Sequence, residues 1–171
     1  MRTPDFWQRD GGFPGGILAP LGWCYGLAGK IRFALTRPTK SSVPVICIGN
    51  LVTGGAGKTP VAINLARRLI AGGRNVHFLT RGYGGSLAGP VRVDPNIHTA
   101  VDVGDEALLL ARVAPAWVAR DRAQGVAAAE DDSPDVIIMD DGFQNPSVAK
   151  DLSLLVIDGA FGFGNGYVFP A

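Results

Sequence analysis

Apolar residues along this chain gather in short unbroken runs, set apart by glycine-rich turns and by longer stretches with helical spacing. Residues 43–48, 75–80, 135–139 and 152–157 predict strands, with briefer ones at 91–93 and 117–119. The longer apolar runs do not alternate with polar residues, which is the pattern of strands buried on both faces. Between them, residues 58–71 predict a helix stopped by Gly72-Gly73, and 104–113 and 121–130 predict two more. Strands alternating with helices predict an α/β fold: a mainly parallel sheet covered on both faces, a three-layer sandwich. Ligands on such sheets sit at the carboxyl ends of the strands.

Residues 36–42, with Pro38, Lys40 and two serines, predict a linker that divides an N-terminal segment, 1–42, from a core domain, 43–171. The first segment has its own pattern. Ile17 to Leu27 is apolar but broken by Pro20, Gly22 and Gly26, and is shorter than the ~20 residues that span a bilayer. It also lacks the basic start and small-residue cleavage site of a secretory signal. The segment holds Trp7 and Trp23, and six basic residues against Asp5 and Asp10. Two readings fit: an amphipathic helix lying in a membrane interface, or a helix packed on its own domain with its basic face solvated.

Composition narrows the class. The 171 residues suffice for one hydrophobic core, and 47% apolar residues with a net charge of +1 describe a folded globular chain. A near-neutral balance gives no reason to expect nucleic-acid binding. Cys24 and Cys47 form no zinc or disulfide pattern, which fits a reducing cytosol, and Cys47 falls inside the first predicted strand as a small core residue. His77 and His98 have no neighbouring metal-ligand pattern; His77, in a strand, reads as structural or partly exposed.

The strongest chemical signal is Gly49-Asn50-Leu51-Val52-Thr53-Gly54-Gly55-Ala56-Gly57-Lys58-Thr59-Pro60, between a predicted strand and a predicted helix. Small residues let the backbone curl so that N–H groups from Val52, Thr53, Gly54, Gly55, Ala56 and Gly57 converge on phosphate oxygens, and the helix N-terminus adds its positive end. Lys58 would reach the β- and γ-phosphates, neutralising charge during transfer, and the Thr59 hydroxyl would ligate Mg²⁺. The chain is therefore expected to bind a nucleoside triphosphate such as ATP. The strict pattern wants glycine where this chain has Val52. The Gly-Gly-x-Gly-Lys-Thr core resembles the variant loop of DNA-partitioning ATPases, which carry lysine where this chain has Thr53. The competing reading is a glycine-rich turn that binds nothing.

Three further features lie at predicted strand or helix ends. Asp140-Asp141-Gly142 closes an apolar strand: a metal-holding pair of carboxylates, or a solvated turn. Asp105-Glu106 opens a helix: a cap, or a general base for an attacking hydroxyl. Arg81, before Gly82-Tyr83-Gly84-Gly85, would meet phosphate, or is an exposed loop arginine.

Taken in order, residues 49–60, Thr80-Arg81-Gly82-Tyr83-Gly84-Gly85, Gly104-Asp105-Glu106, Asp140-Asp141-Gly142-Phe143-Gln144 and Gly164-Asn165-Gly166 resemble the tetraacyldisaccharide 4′-kinases, the lipid A kinases of Gram-negative bacteria. The likeness is close over 43–171 and looser towards Phe6-Trp7 and Leu18-Ala19-Pro20-Leu21. It implies a P-loop NTPase-like core preceded by a membrane-associating amphipathic helix, which favours the interfacial reading of 1–42. It implies ATP and Mg²⁺, a lipid-linked disaccharide substrate, phosphorylation of the 4′-hydroxyl of an acylated glucosamine disaccharide 1-phosphate, and a peripheral position on the cytoplasmic face of the inner membrane. The family's catalytic base, paired with a histidine, falls on Asp105; its metal-linked acids fall on Asp140 and Asp141. Family members often read Asp-Glu-Pro where this chain has Asp105-Glu106-Ala107. They also continue beyond Pro170-Ala171 into a second α/β domain that supplies the histidine, so the 171 residues are expected to carry the nucleotide-binding half, with weak or absent turnover alone. No obligate protein partner is evident. The alternative is a P-loop ATPase or GTPase switch acting through a protein partner, although no guanine-reading Asn/Thr-Lys-x-Asp element is present. A third reading is a fragment that folds poorly.

Overall fold

The computed structural model describes residues 26–27, 29–31, 33–50 and 57–159. The expectations for Phe6-Trp7 and the apolar cluster up to Tyr25, for loop residues Val52, Thr53, Gly54, Gly55 and Ala56, and for Gly164-Asn165-Gly166 lie outside the described residues. Six strands form one sheet: β1 (Val45–Gly49), β2 (Val76–Thr80), β3 (Val91–Arg92), β4 (Ala116–Val118), β5 (Val136–Asp140) and β6 (Leu152–Leu155). Their order is β3-β4-β2-β5-β1-β6. All neighbours are parallel except β3, which runs antiparallel to β4 at one edge. Four helical segments connect them: α1 (Lys58–Ala71), α2 (Ala100–Val103), α3 (Asp105–Ala111) and α4 (Arg122–Glu130).

The central strands are apolar throughout because both of their faces are covered. Val76 and Phe78 of β2 and Val136 and Ile138 of β5 point into one cluster, with Ala62 and Ala66 of α1 and Ala107 and Leu110 of α3. The alternate residues Leu79, Ile137 and Met139 point the other way, against Val126 and Ala129 of α4 and Val148. Each fully buried side chain of the size of Phe78 or Leu79 contributes about 2–3 kcal/mol of hydrophobic stabilisation. Helix α4 approaches the sheet closely through Gly125, where an added Cβ would meet Ala119 Cβ and a Leu79 methyl, each at 2.6 Å.

Several elements differ from the sequence expectation. β6 was expected to be buried like the others, and it is instead largely exposed: Leu152 is 49% and Leu155 37% accessible. Among the described residues it is a sheet edge, paired with β1 alone, so an apolar run alone does not determine its burial. The helix expected over 104–113 is α3, Asp105–Ala111, and a separate short helix, α2, precedes it. Thr99 and Asp102 form a capping box that starts α2, with Thr99 N–H and Oγ1 donating to Asp102 Oδ2 at 2.8 and 2.7 Å. Gly104 then breaks the helix with φ 86°. β1 begins at Val45 rather than residue 43, where the Val43 N–H is taken by Ser41 Oγ at 3.2 Å.

His77 is buried rather than partly exposed. Its Nδ1 accepts from Trp117 Nε1 at 3.3 Å, and its Nε2 faces Asp132 Oδ2 at 3.8 Å, an oxygen that Arg92 Nη1 also meets at 2.8 Å. Burial lowers the imidazole pKa below its usual 6.5, against the pull of Asp132.

The stretch before β1 is fastened at two places. Thr39 bridges to Val148, and Ser41 Oγ and Ser42 Oγ donate to Glu130 Oε1 at 2.6 and 2.9 Å. Upstream, the backbone is helical at residues 26–27, 29–31 and 33–35, with Leu27, Ile31, Phe33 and Leu35 exposed. No helix among the described residues is long and apolar enough to cross a membrane.

Candidate active site

Three elements meet at the carboxyl edge of the sheet. β1 ends at Gly49 and leads through the glycine-rich loop into α1; β5 ends at Asp140; α3 opens at Asp105. The register pairs Ile48 with Asp140, so the strand that feeds the loop lies directly beside the strand that carries the acids. Gly57 caps α1 in the left-handed conformation, φ 80°, and the first turn contains no acidic residue. The positive end of this helix is therefore left unneutralised by its own sequence. Pro60 is tolerated in the first turn, where its missing N–H would have no helical partner.

The side chains converge as two pairs. Thr59 Oγ1 donates to Asp140 Oδ2 at 3.2 Å. Lys58 Nζ donates to Asn50 Oδ1 at 2.8 Å and lies 3.4 Å from Asp141 Oδ1. Successive acids reach different partners because Asp141 adopts a left-handed backbone, φ 56°, with its N–H held by Ile48 O at 3.0 Å. Asp140 is buried and Asp141 exposed. Asp140 Oδ1 is buried without a hydrogen-bond partner among the described residues. Burial pushes the Asp140 carboxyl up to about 6, and the neighbouring Glu106 carboxylate pushes in the same direction. Burial raises Glu106 as well, reinforced by Asp105 and opposed by Lys58. The edge thus carries an excess of carboxylates that raise one another's affinity for positive charge.

Backbone contact explains why Arg81 and Asp105 share this edge. The 82–85 loop lies against the α2–α3 junction so tightly that a Cβ on Gly85 would come within 2.7 Å of Asp102 O and 2.8 Å of Gly104 N. A Cβ on Gly104 would strike the Tyr83 carbonyl, and its φ of 86° is one that side chains avoid. Asp105 is exposed at the first position of α3, with its Oδ1 accepting from Glu106 N–H at 2.9 Å. Arg81 is exposed one residue beyond β2.

Two residues at this edge had no role in the sequence reading. Asn50 orients Lys58, as above. Arg122 begins α4 and is 3% accessible; its Nη1 donates to Ala119 O at 2.6 Å, and its Nε has no partner among the described residues. Burial lowers its pKa to about 10, with Asp141 and Asp140 opposing and Arg81 reinforcing the shift. A signal was present: an arginine in a helix's first turn opposes the dipole. At the ligand edge of an α/β sheet, such a misfit marks a candidate for anion contact.

The sequence matches the family described as LpxK, tetraacyldisaccharide-1-P 4′-kinase, over residues 15–171. The chain belongs to this kinase family. It is 59% identical to the tetraacyldisaccharide 4′-kinase of Parvibaculum lavamentivorans and 58% identical to that of Paramagnetospirillum magneticum, covering all of this chain and 51% and 52% of those proteins. The fold matches the crystal structure of LpxK from Aquifex aeolicus in complex with ATP, with a TM-score of 0.73 and 33% identity over 82% of this chain and 48% of that one. The chain thus spans about half the length of its kinase relatives.

Proposed function

We propose that the protein transfers the γ-phosphoryl group of ATP to the 4′-hydroxyl of a tetraacyl glucosamine disaccharide 1-phosphate, with these 171 residues forming the donor side of the site. The observation that carries this reading is the pairing of Thr59 with Asp140 at the root of a glycine-rich loop, in a chain that belongs to the 4′-kinase family.

In this reading, residues 52–57 and the N-terminus of α1 cradle the phosphates, and Lys58 neutralises charge on the transferring group. The donor set around Thr59 suits Mg²⁺: a hydroxyl and carboxylate oxygens, one of them the orphaned Asp140 Oδ1. No group of three metal-ligating side chains occurs among the described residues. Mg²⁺ is commonly held by one or two carboxylates together with substrate phosphates. Thr59, Asp140 and Asp141 would hold the ion, which screens the phosphate oxygens when bound. Asp105 accepts the proton of the sugar 4′-hydroxyl as its oxygen forms the new bond to phosphorus; the bond to the β-phosphate oxygen breaks, and ADP leaves. Arg81 and Arg122 would supply positive charge to the phosphates.

The acceptor side is assigned to the remaining length of the family's proteins. Leu27, Ile31 and Leu35, spaced by four and exposed near Lys30, support a peripheral helix that lies on the cytoplasmic face of the inner membrane, where a lipid-linked substrate is presented. The test is the dependence of ATP consumption on substrate. In the full-length protein, hydrolysis should be slow alone and rise with acylated disaccharide 1-phosphate in mixed micelles. Stimulation by a protein partner and indifference to the lipid would favour a nucleotide switch instead.

A further inference from the structure

The connection from β5 to β6 crosses β1 without a helix, and its two ends are fastened differently. At the far end, Asp151 Oδ2 accepts from Val45 N–H at 2.8 Å and Asp151 N–H donates to Val45 O at 2.9 Å, tying the segment to the start of β1. Val148, in the middle, is buried against the sheet. At the near end the backbone turns sharply after the two acids. Gly142 is wedged between Met139 and Cys47, and Phe143 lies over Gly49 so closely that neither glycine has room for a Cβ. Lys150 spans the loop from one end to the other: its Nζ donates to Phe143 O at 2.9 Å and lies 6.0 Å from the Phe143 ring centre. Part-burying an ammonium is costly, and it lowers the Lys150 pKa. A lysine used only for solubility would not be held there.

We infer that Lys150 is a positioning residue for the nucleotide-metal site: by holding the Phe143 carbonyl it fixes the Asp141-Gly142-Phe143 turn that sends Asp140 towards Thr59 and Asp141 towards Lys58. The inference rests on the reading that these acids serve Mg²⁺ and ATP. Lys150 touches neither; it acts through the backbone two residues after Asp141. The bond to the carbonyl is charge-assisted and makes the turn stiffer than the Asp-Asp-Gly sequence alone would be.

The experiment is a Mg²⁺ titration of ATP binding by the full-length protein, for wild type, Lys150→Met, Lys150→Arg and Asp140→Asn, with thermal unfolding measured on each. The expected result is a Lys150→Met midpoint in Mg²⁺ raised by about tenfold, with most of the loss recovered in Lys150→Arg. An unchanged midpoint in Lys150→Met, with or without a lower Tm, overturns the inference and leaves a merely structural lysine. Should Lys150→Met fail to fold, Lys150→Gln takes its place, and a wild-type midpoint there overturns the inference equally. Asp140→Asn separates the two levels: if it binds Mg-ATP as wild type does, the site reading itself fails, and the Lys150 inference with it.

Discussion

Thr59 and Asp140 lie 81 positions apart in sequence and 3.2 Å apart in space, hydroxyl to carboxylate, across the junction of β1 and β5. The contact places the last residue of the Lys-Thr pair on the first acid of the Asp-Asp pair. Burial and the neighbouring Glu106 keep that carboxyl in a setting that favours its neutral form, and the Thr59 hydroxyl opposes them.

That setting predicts a trade-off. The Asp140 carboxyl is raised from 3.8 to about 6 by burial first and Glu106 second. The folded state therefore binds this proton more tightly than the unfolded chain does. Its stabilising contribution is complete below pH 3.8 and is lost as pH rises through about 6. Asp140→Asn should remove this loss, raising stability at pH 7.5 by about 1–3 kcal/mol, while abolishing Mg-dependent ATP binding. Thermal unfolding and nucleotide titration of the same variant check both halves. A variant that is less stable and still binds Mg-ATP would refute the pairing.

His77 predicts the opposite slope. Its pKa is lowered from 6.5 by burial, so the unfolded chain takes up the proton more readily. Stability should fall as pH drops below 6.5 and level off once the folded-state value is passed. His77→Phe should flatten this component while leaving the Asp140 component intact. Tm measured from pH 5 to 8 on the wild type and both variants separates the two.

Arg122 predicts a defect that lysine does not repair. Its guanidinium is buried, with Nη1 on the Ala119 carbonyl. Arg122→Lys keeps the charge but loses the planar fork. Phosphoryl transfer should fall by about 100-fold in either Arg122→Ala or Arg122→Lys, with the lysine variant nearer to wild-type stability. Full activity in Arg122→Lys would restrict the residue to a packing role.

Gly104 predicts a local break. Gly104→Ala would put a methyl against the Tyr83 carbonyl at φ 86° and should cost about 1–3 kcal/mol. Because Asp105 follows directly, kcat should drop more than the affinity for ATP. Equal losses in both would detach Asp105 from the chemistry.

The sequence revealed most where one local rule governs. Helix α1 begins at Lys58 and ends at Ala71, bounded by Gly57 and Gly72, because glycines mark both of its ends. The strand ending at Asp140 was legible from its apolar run. What escaped depended on tertiary placement. β6 is as apolar as its neighbours, and its exposure follows from its rank at the sheet edge. The short helix α2 that ends at Gly104 was not anticipated, because that glycine's φ of 86° and its packing against the 82–85 loop are not encoded in helical spacing. Arg122 had no role in the sequence reading; only the approach of α4 to the carboxyl edge buries it beside two carboxylates. The antiparallel turn of β3 against β4 likewise left no mark on a two-residue strand.

The most direct measurement is the fate of the γ-phosphoryl group. Full-length protein is incubated with Mg-ATP labelled at the γ-position and tetraacyl disaccharide 1-phosphate, and the lipid product is mapped by mass spectrometry. The account predicts label on the 4′-oxygen in the wild type and none with Lys58→Ala or Asp140→Asn. Label released as inorganic phosphate alone, or lipid labelled equally by the Lys58→Ala variant, would contradict it.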